Sequence, residues 1–254
     1  MKVKKLLKIV LIFACILSLI CISGCNKLTS FGHDKQIKEN IDNSLKVYPT
    51  KDLEDFYDIE GDRNNDFDKS DKGMWIFHSA VKKKKKGILK SEGAILYLDR
   101  NKRQAEGYYY IEDIKGHGET DEKHYPIKLK NNKLISIKED TNDNVKKKIN
   151  KFNFFIQYAN INKNIKNKKG DYFYNSNLPE FQAVYKLTNK DNIVRSLKQR
   201  YNVSYNKAEI NISGSGEPKE NKFGNREVEI TFKKNKSYFR DAVTYKPTKK
   251  SEDN

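Results

Sequence analysis

Apolar residues recur along the chain with a spacing that switches between helical and strand-like. Isoleucine and leucine stand at every fourth position over residues 35 to 47, which predicts a helix. A second helix is predicted over residues 49 to 61, because acidic residues lie near its start and Gly61 can end it. We therefore expect helical structure over about residues 35 to 58.

From Gly73 the spacing changes to a period of two. Five β-rich runs separated by turn-forming residues predict an antiparallel meander with a tight hairpin at residues 130 to 133. The runs are MWIFHSAV, GAILYLD, QAEGYYYIED, KHYPIKL and KLISIK. Residues 142 to 160 return to helical spacing, and we expect this helix to cover one face of the sheet.

The last section repeats the order of strand, helix and strands. FQAVYKL predicts a strand, residues 188 to 200 predict a helix, and KAEINIS, REVEITF and YFRDAVTY predict closing strands. The fold class expected from this order is α+β, a single domain in which several helices pack on a largely antiparallel, curved β-sheet.

The N-terminus has the pattern of a secretion signal. Four lysines precede an apolar run from Ile9 to Ile22, and no acidic residue appears before Asp34. A membrane-spanning helix needs about 20 apolar residues. The run has fourteen, so we predict a signal that is removed and not a permanent span.

The placement of the cysteines indicates how the mature chain begins. Cys15 and Cys21 lie inside the segment to be removed, so Cys25 would remain alone, which supports neither a disulfide nor a zinc site. Ile22, Ser23, Gly24 and Cys25 resemble the bacterial lipobox. The resemblance implies cleavage before Cys25 and diacylglycerol on its sulfur, and two acyl chains suffice for stable membrane anchoring.

These observations divide the chain into four predicted segments. We expect a lipoprotein signal peptide at 1–24, a lipidated tether at 25–34, one α+β domain at 35–246 and a charged tail at 247–254. Removing the signal deletes four lysines and no acid, which lowers the formal net charge from +17 to +13. Such charge favours anionic partners, including lipid headgroups, cell-wall polymers and sulfated polysaccharides of a host.

The densest charge is the run of Lys82, Lys83, Lys84, Lys85 and Lys86. We place it at a hairpin tip, where it is either a solvated turn or a contact for an anionic surface. Consecutive aromatic residues elsewhere in the chain, such as those at 108 to 110, are expected mainly in the core. We therefore predict no binding to a specific nucleic acid.

Metal sites are not predicted. Asp62, Asn64 and Asp66 match the first ligands of a calcium loop, but Phe67 replaces the required glycine and Gly73 the required glutamate. The histidines at 117 and 124 enclose Glu119, Asp121 and Glu122, but this spacing matches no established zinc site.

Catalytic motifs are equally weak. No thiol would remain after lipidation, and neither a G-x-S-x-G elbow nor a complete phosphate-binding glycine pattern occurs. We expect no enzymatic activity, no cofactor and a monomer.

Several stretches of the chain resemble the staphylococcal tandem-type lipoproteins, also called the conserved staphylococcal antigen family. They are YPTKDLEDFYDIEGDRNNDFDKSDKGMW, LYLDRNKRQAEGYYY, KFNFFIQYAN, LKQRYNV and EVEITF. The resemblance implies a surface lipoprotein on the extracellular face of a Gram-positive cell membrane, without known enzymatic activity. It also implies host interaction, through immune stimulation by the lipid and promotion of uptake by host cells. Only Cys25 takes a defined role from the family.

Two other function classes stay open. A substrate-binding lipoprotein for a transporter is disfavoured because such receptors are usually larger, two-lobed proteins. A cell-envelope enzyme of unknown reaction is disfavoured by the missing motifs. The host receptor is not predicted from the sequence.

Overall fold

The computed structural model describes residues 33–85, 88–114, 120–203, 207–218, 225–232 and 237–248. Helix α1 spans Asp34–Ser44, α2 Asp143–Lys151, α3 Ile161–Ile165 and α4 Asn192–Tyr201. Short 3₁₀ turns occur at Leu45–Val47, Leu53–Tyr57 and Phe155–Gln157. Among the described residues, no helix is both long and apolar enough to cross a membrane.

Within the described residues, ten antiparallel strands form one sheet. In chain order they are β1 Met74–Lys85, β2 Ile88–Asp99, β3 Gln104–Ile114, β4 Thr120–Lys130, β5 Lys133–Ser136, β6 Gly170–Asn175, β7 Glu180–Thr188, β8 Lys207–Ser215, β9 Asn225–Phe232 and β10 Ser237–Lys246. Their spatial order is β5-β4-β3-β2-β1-β10-β9-β8-β7-β6. The predicted α+β class, with one domain and a largely antiparallel sheet, is confirmed.

Two five-strand meanders meet in the centre of this sheet. β1 pairs with β10 from Met74 opposite Lys246 to Lys82 opposite Tyr238. All other pairings join strands that are neighbours in sequence. The first and last strands of the domain therefore hold the two meanders together.

The two faces of the sheet differ in burial. One face, here called the covered face, carries Trp75 and Phe77 of β1 and Phe239 and Val243 of β10. These residues share a core with buried residues of helices α1 to α4. The opposite face, here called the open face, carries the alternate residues, most of which are partly exposed. Alternation with period two thus assigns each strand residue to one face.

Two predicted helices are shorter in the structure. Residues 49 to 61 form only the 3₁₀ turn Leu53–Tyr57, whose first N–H groups bond to side chains: Glu54 N to Asp52 at 2.9 Å and Leu53 N to Asn132 at 3.1 Å. The predicted helix 142–160 ends at Lys151.

The second helix ends early because its backbone finds other partners. Phe154 N donates to the Gln157 side chain at 2.9 Å and Phe155 N to Ser79 Oγ at 3.0 Å. Phe154, Phe155 and Ile156 are consecutive and all fully buried, and three consecutive residues span more of a helix surface than one apolar face covers.

Other elements agree with expectation or extend it. The hairpin at 130–133 is confirmed, with Asn131 and Asn132 at positive φ. Strand β6 and helix α3 were not predicted. The segment boundaries stay predictions; the described chain continues past β10 to Thr248, whose N and Oγ1 donate to Asp71 at 2.8 and 2.7 Å.

Candidate functional site

The lysine run lies largely within strand β1. β1 pairs with β2 up to its last residue, Lys85. The expected position at a hairpin tip is therefore wrong for Lys82, Lys83 and Lys84, which belong to the ladder. Lys86 and the side chain of Lys85 lie outside the described residues. A strand accommodates such a run because successive side chains point to opposite faces.

Alternation gives the described lysines different surroundings. Lys83 is on the covered face, where Nζ donates to the backbone oxygen of Tyr201 at 2.7 Å. Tyr201 is the last residue of α4, so this cation satisfies a carbonyl at the negative end of the helix. Lys82 is on the open face with its Nζ 5.7 Å from the ring centre of Tyr238, and Lys84 is exposed. Lys83 therefore has a structural role.

Further cations gather at the end of the sheet where β1 stops. At this end β7 also stops, and β8 and β10 begin. We call the part of this end between β1 and β7 the lysine end, and its exposed or partly exposed cations include Lys82, Lys84, Lys186, Lys190, Arg195, Arg200 and Lys207. Asp191, which is nearby, forms an ion pair with Lys168 at 3.0 Å. Glu209 lies opposite Lys186 in the pairing of β7 with β8.

The N-terminus of the described chain lies at the opposite end of the sheet. The ring of His33, which precedes α1, is 4.9 Å from the ring of Tyr174, near the end of β6. β6 runs away from the lysine end, because it is antiparallel to β7, which stops there. The turn after β6 carries Leu178, which is 65% exposed. We call this the tether end, since the predicted tether joins the domain here.

A carboxyl group is sealed inside the core where β1 meets β10. Asp241 is 1% exposed and accepts hydrogen bonds from Tyr48 OH, at 2.7 Å, and from Ser79 Oγ. Ser79 in turn accepts the N–H of Phe155. Burial raises the pKa of Asp241 to about 7, although the two hydroxyl donors oppose the shift. The carboxyl is therefore protonated below about pH 7, and its burial offers no route to a substrate.

A second polar group is the guanidinium of Arg226 on the covered face of β9. Its Nη2 donates to Asn40 Oδ1 at 3.0 Å, and its Cζ lies 5.0 Å from the ring centre of Phe181. Nε and Nη1 have no hydrogen-bond partner among the described residues. Burial lowers the pKa of Arg226 to about 10. The group packs directly on Gly214, where a side chain would overlap it.

Histidines and tyrosines cluster on the open face. His78 Nε2 lies 2.9 Å from Tyr110 OH, and His124 stacks on Tyr108 with 4.5 Å between ring centres. His124 also lies 2.6 Å from Glu122. Burial, with help from nearby cations, lowers the pKa of His78 to about 4, so this ring is neutral at pH 7. These contacts are those of a structural cluster.

The structure does not support the calcium and zinc sites that were considered from the sequence. Asn64 and Asp66 bond to each other, with Asn64 Nδ2 donating to the Asp66 carboxylate at 2.7 Å, so they form a local turn. Of the zinc candidates, His117 and Glu119 lie outside the described residues. Within the described ranges, no three His, Cys, Asp or Glu side chains are placed to share a metal ion. Cys25 and the lipobox also lie outside those ranges.

Comparison with known proteins matches residues 33–248 to the model of the Csa1 family. The chain belongs to the Csa1 family. An uncharacterised lipoprotein of Staphylococcus aureus (strain N315) is 41% identical over 251 residues, 95% of each chain. An uncharacterised lipoprotein of Staphylococcus epidermidis (strain RP62A) is 43% identical over 244 residues, 92% of this chain and 94% of its own. The resemblance seen in the sequence is thus confirmed.

A solved structure also aligns with this Csa1 family member. The Mycobacterium tuberculosis lipoprotein LppX covers 84% of this chain and 94% of its own, at 10% identity and a TM-score of 0.34. A TM-score this low does not establish a common fold.

Sequence reasoning missed two charged residues in the core of this family member. Asp241 is two positions from both Phe239 and Val243 in β10, and Arg226 is two positions from Val228 in β9. The period of two therefore places both charges on the covered face. This alternation was the signal that could have identified them.

Proposed function

We propose that the protein is a non-enzymatic surface lipoprotein, anchored by diacylglycerol on Cys25 at the extracellular face of a Gram-positive cell membrane. The observation that carries the proposal is the lipobox, Ile22, Ser23, Gly24 and Cys25, directly before a domain whose relatives are lipoproteins. The tether between Cys25 and the domain is short, so the domain stays close to the bilayer.

The domain acts by binding and not by catalysis. This part of the proposal is supported by the sealing of its most perturbed acid, because Asp241 and its partners Ser79 and Tyr48 are all buried. A general acid or base must come within hydrogen-bond reach of a substrate. Burial, which keeps the proton on Asp241, also keeps this carboxyl out of reach of a substrate.

The lipid and the domain divide the work of host interaction. Immune stimulation depends on the acylated Cys25, whereas contact with host cells and promotion of uptake depend on the domain and its cationic surface. Because exposed charges are screened within about 8 Å at physiological ionic strength, contact through the domain weakens as salt is added.

The experiment replaces Cys25 with alanine and compares the cell-associated protein by intact mass and detergent partitioning. We expect the wild type to lack residues 1–24 and to carry diacylglycerol, and Cys25→Ala to stay unprocessed or to be shed. Cys21→Ala is the matched control, since it removes a thiol from the discarded segment and leaves the mature mass unchanged. A wild-type protein without added lipid would refute the anchor.

A second measurement separates the two roles. Purified wild type and Cys25→Ala are compared for stimulation of lipoprotein-sensing receptors on reporter cells and for binding to host cells. We expect stimulation to fall to background in Cys25→Ala while domain-mediated binding persists. Equal stimulation by both proteins would contradict the proposed division.

A further inference from the structure

The lysine end and the tether end lie at opposite ends of the same sheet. His33 lies beside Tyr174, near the end of β6. The described lysines of β1 lie at the other end of the sheet, the end at which β6 begins. A strand of ten residues spans about 33 Å. When the chain is anchored through its N-terminus, the lysine end is therefore held roughly this far from the bilayer side of the domain.

The exposed apolar residues reinforce this orientation. Large exposed hydrophobic side chains among the described residues are Ile137 and Leu178. Leu178 lies at the tether end, and Ile137 bonds through its N–H to Pro126, beside the sheet edge formed by β5. A surface that docks on lipid combines cations with apolar side chains. Neither of these two exposed apolar residues lies at the lysine end, which argues against a bilayer as its ligand.

The cations of the lysine end lie on both faces of the sheet, and we call the edge between these faces the ridge. Lys84 and Lys186 project from the open face, whereas Arg195 and Arg200 project from helix α4, which packs on the covered face. From β1 to β7 the ridge crosses four interstrand spacings, about 19 Å. A small anion would contact one or two of these cations, and a flat surface would contact one side. A flexible chain of repeated anions can contact them all.

Most of these cations are available for a ligand. Lys84, Lys186, Lys190 and Lys207 form no ion pair with a carboxylate among the described residues. Lysine binds phosphate as a point charge without a fixed geometry, which suits a polymer that changes shape. Neutralising several phosphates releases the counterions condensed on such a polymer, and this release drives binding.

We propose that the lysine end is a membrane-distal binding site for a linear, flexible polymer of phosphate groups. The site is the ridge formed by the end of β1, the end of β7, the start of β8 and the exposed side of α4. Lys83 is not part of it, because its Nζ is bonded to α4. The orientation rests on the proposed lipid anchor, whereas the binding of the polymer does not.

The test measures binding of long-chain inorganic polyphosphate to the full lipidated protein in nonionic detergent at several salt concentrations. One variant replaces Lys84, Lys186, Lys190 and Lys207 with serine. The matched control replaces Lys51, Lys128, Lys130 and Lys133, which are exposed away from the lysine end. Both variants lose the same charge, so only the position of the lysines differs. Unchanged unfolding midpoints will show that both variants are folded.

We expect wild-type affinity to fall linearly with salt on a logarithmic scale. At a slope of about −0.7 per phosphate contact, losing four contacts should reduce the slope by about 3 and weaken binding at low salt at least about tenfold. The control variant should retain most of the wild-type slope. Equal losses in both variants would show that net charge alone drives binding and would overturn the site.

Two further arms identify the ligand and the orientation. If the lysine end binds heparin, or vesicles rich in anionic lipid, more tightly than polyphosphate, its ligand is a sulfated polysaccharide or a membrane and not the phosphate polymer. Protein anchored in neutral vesicles should bind polyphosphate as it does in detergent, because the lysine end faces outward. Loss of binding there would overturn the orientation. Cys25→Ala should still bind the polymer, so a failed lipid anchor and a failed polymer site give different results.

Discussion

The buried carboxyl of Asp241 makes the stability of the domain depend on pH in an unusual direction. Its pKa is raised from an ordinary value of 3.8 to about 7, mainly by burial. Between these two pH values, the folded protein therefore keeps a proton on Asp241 that the unfolded chain has already released. The stabilisation is fully present below about pH 4 and is lost as the pH rises through about 7.

The size of this effect can be calculated from the two pKa values. At about 1.4 kcal/mol per pH unit, the protonated carboxyl contributes about 4 kcal/mol that is absent above about pH 8. About 2.5 kcal/mol of this falls between pH 5 and pH 8 by the same relation. With a urea m-value of about 2 kcal/mol/M, this corresponds to a shift of about 1 M in the unfolding midpoint.

The assay compares urea unfolding of wild type and Asp241→Asn at pH 5, 6, 7 and 8. Asparagine has nearly the same shape but does not titrate. The difference between the two proteins therefore isolates Asp241, and other ionisable groups cancel. We expect wild type to lose about 2.5 kcal/mol relative to the variant over this range. Asp171→Asn, at an exposed position of β6, should behave like wild type. Parallel pH profiles for wild type and Asp241→Asn would refute the reasoning.

Two further substitutions test contacts that hold the sheet and its helices. Lys83→Ala should destabilise the domain by about 1.5–3 kcal/mol in thermal or urea unfolding, because it removes a charged donor from the end of α4. Lys84→Ala should change stability by less than about 0.5 kcal/mol, and equal effects would disprove the distinction. Gly214→Ala should destabilise by more than about 2 kcal/mol, since the new methyl overlaps the Arg226 guanidinium. A second change, Arg226→Met, should recover part of this loss if the overlap is its cause.

The sheet was largely predictable because its sequence obeys one local rule. In β7, β8, β9 and β10, apolar and polar residues alternate, apart from exceptions such as Arg226 and Asp241, and the observed burial has the same period. Turn residues such as Asn131 and Asn132 marked the reversals. Local information sufficed because each of these strands pairs with its sequence neighbour.

The helices over 49–61 and 142–160 were overestimated because tertiary contacts decide their ends. Ser79, some 76 residues before Phe155 in sequence, supplies the acceptor for an N–H that a continued helix would have bonded internally. Asn132 does the same for Leu53. Spacing of apolar residues contains no information about such distant acceptors.

The candidate site was only partly predictable for a similar reason. A run of lysines signals charge but not which lysine projects, and the pairing of β1 with β2 decided this. The pairing of β1 with β10 brought Ser79 opposite Asp241. The predicted lipidation of Cys25 depends on a local motif and needs no fold at all.

The pairing of β1 with β10 also has a consequence that we expect for the folding of the new chain. Because synthesis proceeds from the N-terminus, β1 is made well before the strand that finally covers its second edge. Until β10 arrives, β1 is a long strand with an unpaired side, and such edges invite pairing with other chains. Charged side chains, especially lysines that point inward, discourage this pairing. We therefore expect Lys82, Lys83 and Lys84 to protect β1 from such pairing until β10 completes the sheet.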